Sequence, residues 1–503
     1  MKTSHDEDLR REVAAVLAGR REIALAASIG GHARVNLVPF AFSEDDLTFY
    51  SFVRKGPPAM QLHHHPRVSL LATSAGEGGS TREVEVTGVA LLLQDEADRS
   101  KARGLLGERE VAVEEAAVEY VRIAPQQIEL RELTEDGRVV SRRLLAFPRS
   151  SGVPGDAALL RRKAFAWLLA VRAPFLTASV VPVLLGGAIA WATRDAFNWG
   201  LFFLALVAGA LLHLAVNVYN DYFDHRSGND PLNVDFVRPF SGGSRVIQLG
   251  LLSPLEMISG AILLSAVSAG IGAVLAWAAG PWVLAFGVAG LISGVFYVAG
   301  PFNWASRGVG EFTVGLNFGT LMTLGSYYVQ TGRVDWTPAV ASIPAAALIA
   351  AVLYVNEFPD YAADKAVGKR TWVVRLGRQR AVIGYAFLMA VPYVTVPLGV
   401  AFDVLPPQTL LAMLTLPFSL RAVQVAARHH SHPLELAPAN ALTIVSHLAT
   451  GLLLTLAFVW EGSGLAELGY VIGLALLFTV MVLFVSRGIE QEKRAFLAAR
   501  EAM

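Results

Sequence analysis

Two segments of this chain gather carboxylates, amides and cations at helical spacing. The first reads Asn217-Val-Tyr-Asn220-Asp221-Tyr-Phe-Asp224-His-Arg226-Ser-Gly-Asn-Asp230. The second reads Asn356-Glu-Phe-Pro-Asp360-Tyr-Ala-Ala-Asp364-Lys365-Ala-Val-Gly-Lys369-Arg370-Thr371. On a helix, Asn217, Asp221 and Asp224 share one face with Asn220 at its edge, and Asn356, Asp360 and Asp364 repeat the arrangement. Carboxylates stacked this way repel one another unless a divalent cation is shared between them. Magnesium suits such a site because it prefers oxygen ligands and is commonly held by a few carboxylates plus substrate phosphates. Two facing clusters could thus hold a diphosphate through bridging metals. Arg245, in Ser241-Gly242-Gly243-Ser244-Arg245, together with Lys369 and Arg370, could pair with phosphate oxygens, and Gly242 and Gly243 would let backbone approach the anion.

The elements that must position these residues are apolar helices. The chain has 503 residues with a net charge of +0 and a charged fraction of 17%, and its mean hydropathy is +0.47. From Ala173 onward about ten stretches of ~20 apolar residues follow one another, each long enough to cross a hydrocarbon core. The last runs from Tyr470 to Val485. Both acidic clusters begin where such a stretch ends, and ionisable residues there are functional candidates. Alternate connections carry Arg226, Arg238 and Arg245, then Arg307, then six cations from Lys365 to Arg380, then Arg428. The positive-inside rule makes that side cytoplasmic, with both clusters, the N-terminal part and the C-terminus. A transporter would instead place its charges near the membrane midplane on paired broken helices.

Residues 1–150 differ in character. Alternating segments (Glu22–Ile29, Val35–Phe42, Leu47–Val53, Arg67–Thr73, Glu83–Leu93 and Gln127–Leu133) predict antiparallel strands of a small soluble β-barrel. Asp95–Leu106 and Val111–Tyr120 read as helices. Residues 151–163 read as a linker, with a Ser, Gly and Pro-rich start, and 164–503 as an all-α multi-span membrane bundle of nine or ten helices. With no cysteine, disulfides and thiolate chemistry are excluded. The neutral charge balance gives no reason to expect a nucleic-acid partner. His63, His64 and His65 read as a surface feature rather than a chelate, because neighbours on a strand point to opposite faces.

The segments NDYFDHRSGND, FSGGSRVIQLG and NEFPDYAADKAVGKRTWVVRLG resemble the UbiA superfamily of intramembrane aromatic prenyltransferases. Within it, the gap from Asp224 to Asp230 and the run from Gly368 to Gly377 look most like the 1,4-dihydroxy-2-naphthoate prenyltransferases of menaquinone synthesis. The resemblance spans roughly Ala164 to Trp460. It implies that Asp221, Asp224, Asp360 and Asp364 bind two magnesium ions on a polyprenyl diphosphate, assisted by Asp230 and Asn217. Lys369, Arg370 and Arg245 would neutralise the leaving group. The allylic cation so formed would alkylate a small aromatic acceptor, with Tyr219, Phe223, Tyr354 and Phe358 as candidate cation–π faces, although each also fits a packing role. Acceptors such as 4-hydroxybenzoate, homogentisate, a porphyrin or glycerol phosphate stay open. A tenth span and a soluble N-terminal domain both depart from the family pattern. The N-terminal domain in turn resembles the pyridoxamine-phosphate-oxidase-like split barrel in the stretches Ala33–Phe40, Phe52–Gly56 and Gln61–Leu70. That likeness implies a possible FMN, with Lys55 or Arg54 on its phosphate.

Overall fold

The structure is a computed structural model. It describes residues 4–463 apart from short stretches in the N-terminal half and residues 147–155 and 228–242, together with isolated positions beyond 463. Residues 151–155 of the expected linker, Asp230, the three adjacent histidines and nearly all of the tenth apolar stretch therefore lie outside the described residues, whereas 156–163 of that linker open a helix. The chain divides into two compact units, Met1–Leu168 with Val246–Glu256, and Leu169–Arg245 with Met257–Met503.

In the first unit, seven strands form one antiparallel sheet. They are β1 (Glu22–Ile29), β2 (His32–Phe42), β3 (Phe49–Arg54), β4 (Arg67–Ala75), β5 (Thr81–Leu92), β6 (Val118–Leu133) and β7 (Val139–Ala146). Their order is β3-β2-β1-β4-β5-β6-β7, and β3 also pairs with β6, which closes six strands into a barrel with β7 on its margin. Period-two alternation puts Val68, Leu70 and Ala72 of β4 inside, beside Phe40, Phe49, Val84, Val86 and Ile123. The barrel matches the expected fold, with three differences in its elements. Helix α1 (Ser4–Leu17), absent from the expected elements, buries Leu9, Val13, Val16 and Leu17 on the barrel core, an i, i+4, i+7, i+8 stripe. Val118–Tyr120, expected to end a helix, instead begins β6, where Val118 and Tyr120 are buried, Tyr120 beside Ala102 and Leu106, while Val121 and Ile123 join the barrel core. β7 extends the sheet beyond the expected strands. The helix expected at Asp95–Leu106 is present as α2 (Glu96–Leu106).

Helix α3 (Asp156–Ala170) leads to the apolar helices. They are α4 (Thr177–Arg194), α5 (Trp199–Ser227), α6 (Pro254–Ala279), α7 (Trp282–Val298), α8 (Gly310–Gly315), α9 (Met322–Thr331), α10 (Trp336–Ala366), the short α11 (Trp372–Leu376), α12 (Arg378–Ala401), α13 (Leu416–His429) and α14 (Pro433–Ser463). A π-helical turn, Leu316–Leu321, joins α8 to α9. Among the described residues, seven helices are long and apolar enough to cross a membrane. Each of the first nine expected spans falls on a helix, on the α8–α9 composite or, for Leu405–Ala426, on the 3-10 segment Pro407–Thr415 continued by α13. α4, α10 and α14 form the bundle interior, where more than half of each apolar window is buried, whereas α5 and α6 leave most of theirs half-buried or exposed. An outward apolar surface of that kind is what lipid contact requires.

Candidate functional site

Helix length places the acidic residues. α5 and α10 contain 29 and 31 residues, which at 1.5 Å per residue exceeds the ~30 Å hydrocarbon thickness by roughly 15 Å. The surplus turns can stand in the polar interface, and they carry Asp221 and Asp224 on α5 and Asp360 and Asp364 on α10. Both helices end beside one cavity of about 480 Å³. Its polar end is lined by Asn217, Asn220 and Asp224 from α5, by Asn356, Glu357, Asp360 and Asp364 from α10, and by Lys369 and Arg172. Elsewhere its wall is largely apolar, with Leu212, Phe286, Leu291, Phe318 and Met322 among the lining side chains.

Lys369 joins the two helices. Its Nζ donates to Asp224 Oδ1 at 2.9 Å and lies 3.6 Å from Asp364 Oδ1. Gly368, at φ +77°, reverses the chain after α10, and the Lys369 amide donates to the Asp364 carbonyl at 2.9 Å. That turn sends the side chain back over the helix end. Burial by itself would lower the Lys369 pKa, but the carboxylates of Asp224, Asp364 and Asp360 outweigh it and raise the value above the ordinary lysine range. The ammonium is therefore fixed as a charge.

Asp221 departs from the face expected for it. It is 5% exposed and is not among the residues lining the cavity. Arg172 and the Ser244 hydroxyl both donate to its carboxylate, and the Ser244 amide lies 3.3 Å from Oδ2. Gly243 sits at φ +69°, and a Cβ there would stand 2.9 Å from Asp221 Oδ1. The close backbone approach expected of this glycine pair is thus made, for the described member, to a carboxylate of the protein itself. Asn220, expected at the edge of the face, lines the cavity instead.

The remaining candidates divide. Asn217 lines the cavity and donates from Nδ2 to the Val171 carbonyl at 3.1 Å. Arg245 and Arg370 are not among the lining residues. Arg370 is exposed, and its amide donates to the Ser306 carbonyl at 2.8 Å. Phe358 and Tyr354 pack in the bundle core, as their alternative packing role anticipated. Arg172 escaped the sequence reading. Its signal was a lone cation immediately before the first apolar stretch, in Val171-Arg-Ala-Pro-Phe175.

The donor set is made entirely of oxygen and amide groups, which fits a hard divalent cation such as magnesium. Among the described residues, no three carboxylate or histidine side chains stand close enough to hold a metal unaided. Magnesium usually takes one or two carboxylates and completes its shell with phosphate and water, so the set fits a cation that arrives with a diphosphate. In the barrel, Lys55 lines a hollow of about 140 Å³ with Arg99, Arg103, Glu96 and Tyr120. That space suits a phosphate and is too small for a whole flavin, since ligand pockets usually run to ~300–1,000 Å³.

Residues 179–435 match the UbiA prenyltransferase family. The chain is 32% identical to a 1,4-dihydroxy-2-naphthoate octaprenyltransferase of Mycobacterium tuberculosis over 51% of this chain and 84% of that protein. It is 26% identical to a 2-carboxy-1,4-naphthoquinone phytyltransferase of a Synechocystis species over 59% of this chain and 94% of that protein. The barrel resembles split barrels, among them a crystal structure of an FAD-binding protein from Mesorhizobium loti. That match has a TM-score of 0.22, is 26% identical, and covers 25% of this chain and 94% of the other.

Proposed function

Since the chain belongs to the UbiA prenyltransferase family and is an integral membrane protein, we propose that it transfers a polyprenyl group from its diphosphate to 1,4-dihydroxy-2-naphthoate, with magnesium. The observation that carries this reading is the Lys369 link between Asp224 and Asp364, at the polar end of an otherwise largely apolar cavity. A polyprenyl diphosphate has the same polarity, an anionic head on an apolar tail.

Asp224, Asp360 and Asp364 would hold magnesium, which supplies charge neutralisation of the departing diphosphate. Asn217 and the Lys369 ammonium bind the same head group, and Lys369 stabilises charge that grows on the bridging oxygen as the C–O bond breaks. Asp221 keeps Arg172 and the Gly243–Ser244 turn in place, so that Arg172 faces the head group from the side opposite α10. Arg245, Arg370 and Asp230 belong to the proposed set by the family resemblance. The apolar wall holds the tail and excludes water, which would otherwise capture the allylic cation. The acceptor ring attacks that cation from within the cavity.

The same reading assigns residues 1–150 to the barrel domain, 151–163 to a linker and 164–503 to the prenyltransferase domain. It places the clusters on the cytoplasmic side, following the Lys and Arg bias of the connections. The Lys55 hollow would take the phosphate of an FMN. The test is a membrane assay with magnesium, labelled polyprenyl diphosphate, and either 1,4-dihydroxy-2-naphthoate or 4-hydroxybenzoate. Lipid-extractable product with the naphthoate alone is expected. Product with the benzoate alone would overturn the acceptor assignment.

A further inference from the structure

Beside the aspartates lies an acidic pair that the head-group chemistry does not use. Glu311 lies in α8 and Glu357 one turn before Asp360 in α10, and they are 5% and 8% exposed. Their carboxyls stand close enough to interact directly. Two carboxylates have no donor between them, so a hydrogen bond joining them would need a shared proton. The Trp372 amide reaches Glu311 Oε1 at 3.4 Å, and the Val373 amide donates to Glu357. Tyr297, Tyr354 and Asp364 are the other titratable groups close enough to act on the pair. Glu357 Oε2 is buried with no donor of its own, yet Glu357 lines the cavity beside Asp360 and Asp364. Bracing two backbone amides needs no second carboxyl, and a buried acceptor without a donor is costly. A ligand hydroxyl in the cavity would supply one.

We propose that Glu357, with Glu311 as its proton partner, accepts the ring-hydroxyl proton of the aromatic acceptor during prenyl transfer. The step deepens the function proposed above and rests on it. A ring carbon beside the hydroxyl bonds to C1 of the prenyl group. The C1–O bond breaks, and diphosphate leaves with the electron pair. The hydroxyl oxygen becomes a carbonyl, and its proton passes to Glu357, so the pair goes from one shared proton to two. Where the attacked carbon bears a carboxylate, carbon dioxide departs next. The electrons of that C–C bond return through the ring to oxygen, and Glu357 gives the proton back. The aromatic diol is restored and the pair is reset.

The experiment compares wild type, Glu357→Gln, Glu357→Asp and Glu311→Gln in full-length protein. It reads transfer to 1,4-dihydroxy-2-naphthoate and, separately, Kd for a non-ionising polyprenyl thiodiphosphate with magnesium. E357Q should lose ~10²–10⁴-fold in kcat, the usual worth of a general base, with Kd unchanged. E357D should recover part of that loss, and E311Q should fall between. Ring substituents that acidify the hydroxyl should restore more rate to E357Q than to wild type. Wild-type transfer rates in E357Q would overturn the proposal, as would a parallel loss of thiodiphosphate binding, which marks a structural brace. If wild type ignores the naphthoate, the function proposed above fails instead, and the same comparison is read with the hydroxyarene that wild type does use.

Discussion

Lys369 donates to Asp224 Oδ1 at 2.9 Å across 145 positions of sequence. The ammonium also lies 3.6 Å from Asp364 Oδ1. One cation therefore ties the ends of two long helices into a single anionic site, and its charge stands ready for a phosphate oxygen.

Lys369→Gln should raise KM for the polyprenyl diphosphate and lower kcat/KM by about 10–100-fold, the worth of one charge-assisted hydrogen bond. Steady-state kinetics in detergent or membranes would check it. Unchanged kinetics would remove Lys369 from the head-group site.

The sign of the Lys369 shift fixes a pH behaviour. Its pKa is raised in the folded protein, because the carboxylates outweigh burial. The resulting stabilisation is complete below the unfolded value of ~10.4 and is lost only as pH rises through the higher folded value. Diphosphate affinity should accordingly show no basic limb between about pH 7 and 10 that Lys369→Gln removes. A Lys369-dependent limb near pH 8 would contradict the carboxylate cage.

Gly243→Ala should cost about 1–2 kcal/mol of stability, because it puts a side chain into the left-handed region and sets its Cβ 2.9 Å from Asp221 Oδ1. Thermal unfolding in detergent would show a lowered midpoint. The accompanying loss of activity should exceed that of a distant variant of equal instability, because Asp221 and Arg172 move with the turn.

Chelation should abolish prenyl transfer, and added magnesium should restore it. Activity indifferent to EDTA would mean that the carboxylates serve the head group in another way.

Much of this was legible in the sequence because two periodicities are strong. Alternation marks most barrel strands, and long apolar runs mark the helices, with the aspartates at their ends. The missed parts depend on tertiary contacts. α1 becomes visible once Leu9, Val13, Val16 and Leu17 have a barrel to cover. The strand at Val118–Tyr120 is settled by its pairing with Arg54, Val53 and Phe52 on β3, a contact that local propensity does not encode. Helical spacing put Asp221 on the face of Asp224, but Arg172 and Ser244 take its carboxylate, and no local pattern announces that pairing. Glu357 stood in plain view between Asn356 and Asp360, and only its burial against Glu311 set it apart.

The most direct measurement is a double-mutant cycle on Asp224→Asn and Asp364→Asn, read as Kd for a polyprenyl thiodiphosphate with magnesium. If both carboxylates serve one head-group site, the losses should be non-additive, with a coupling of about 0.5–3 kcal/mol. Binding in the double mutant should also no longer respond to magnesium. Strictly additive losses, or full magnesium-dependent binding in the double mutant, would contradict a single site built from both helices.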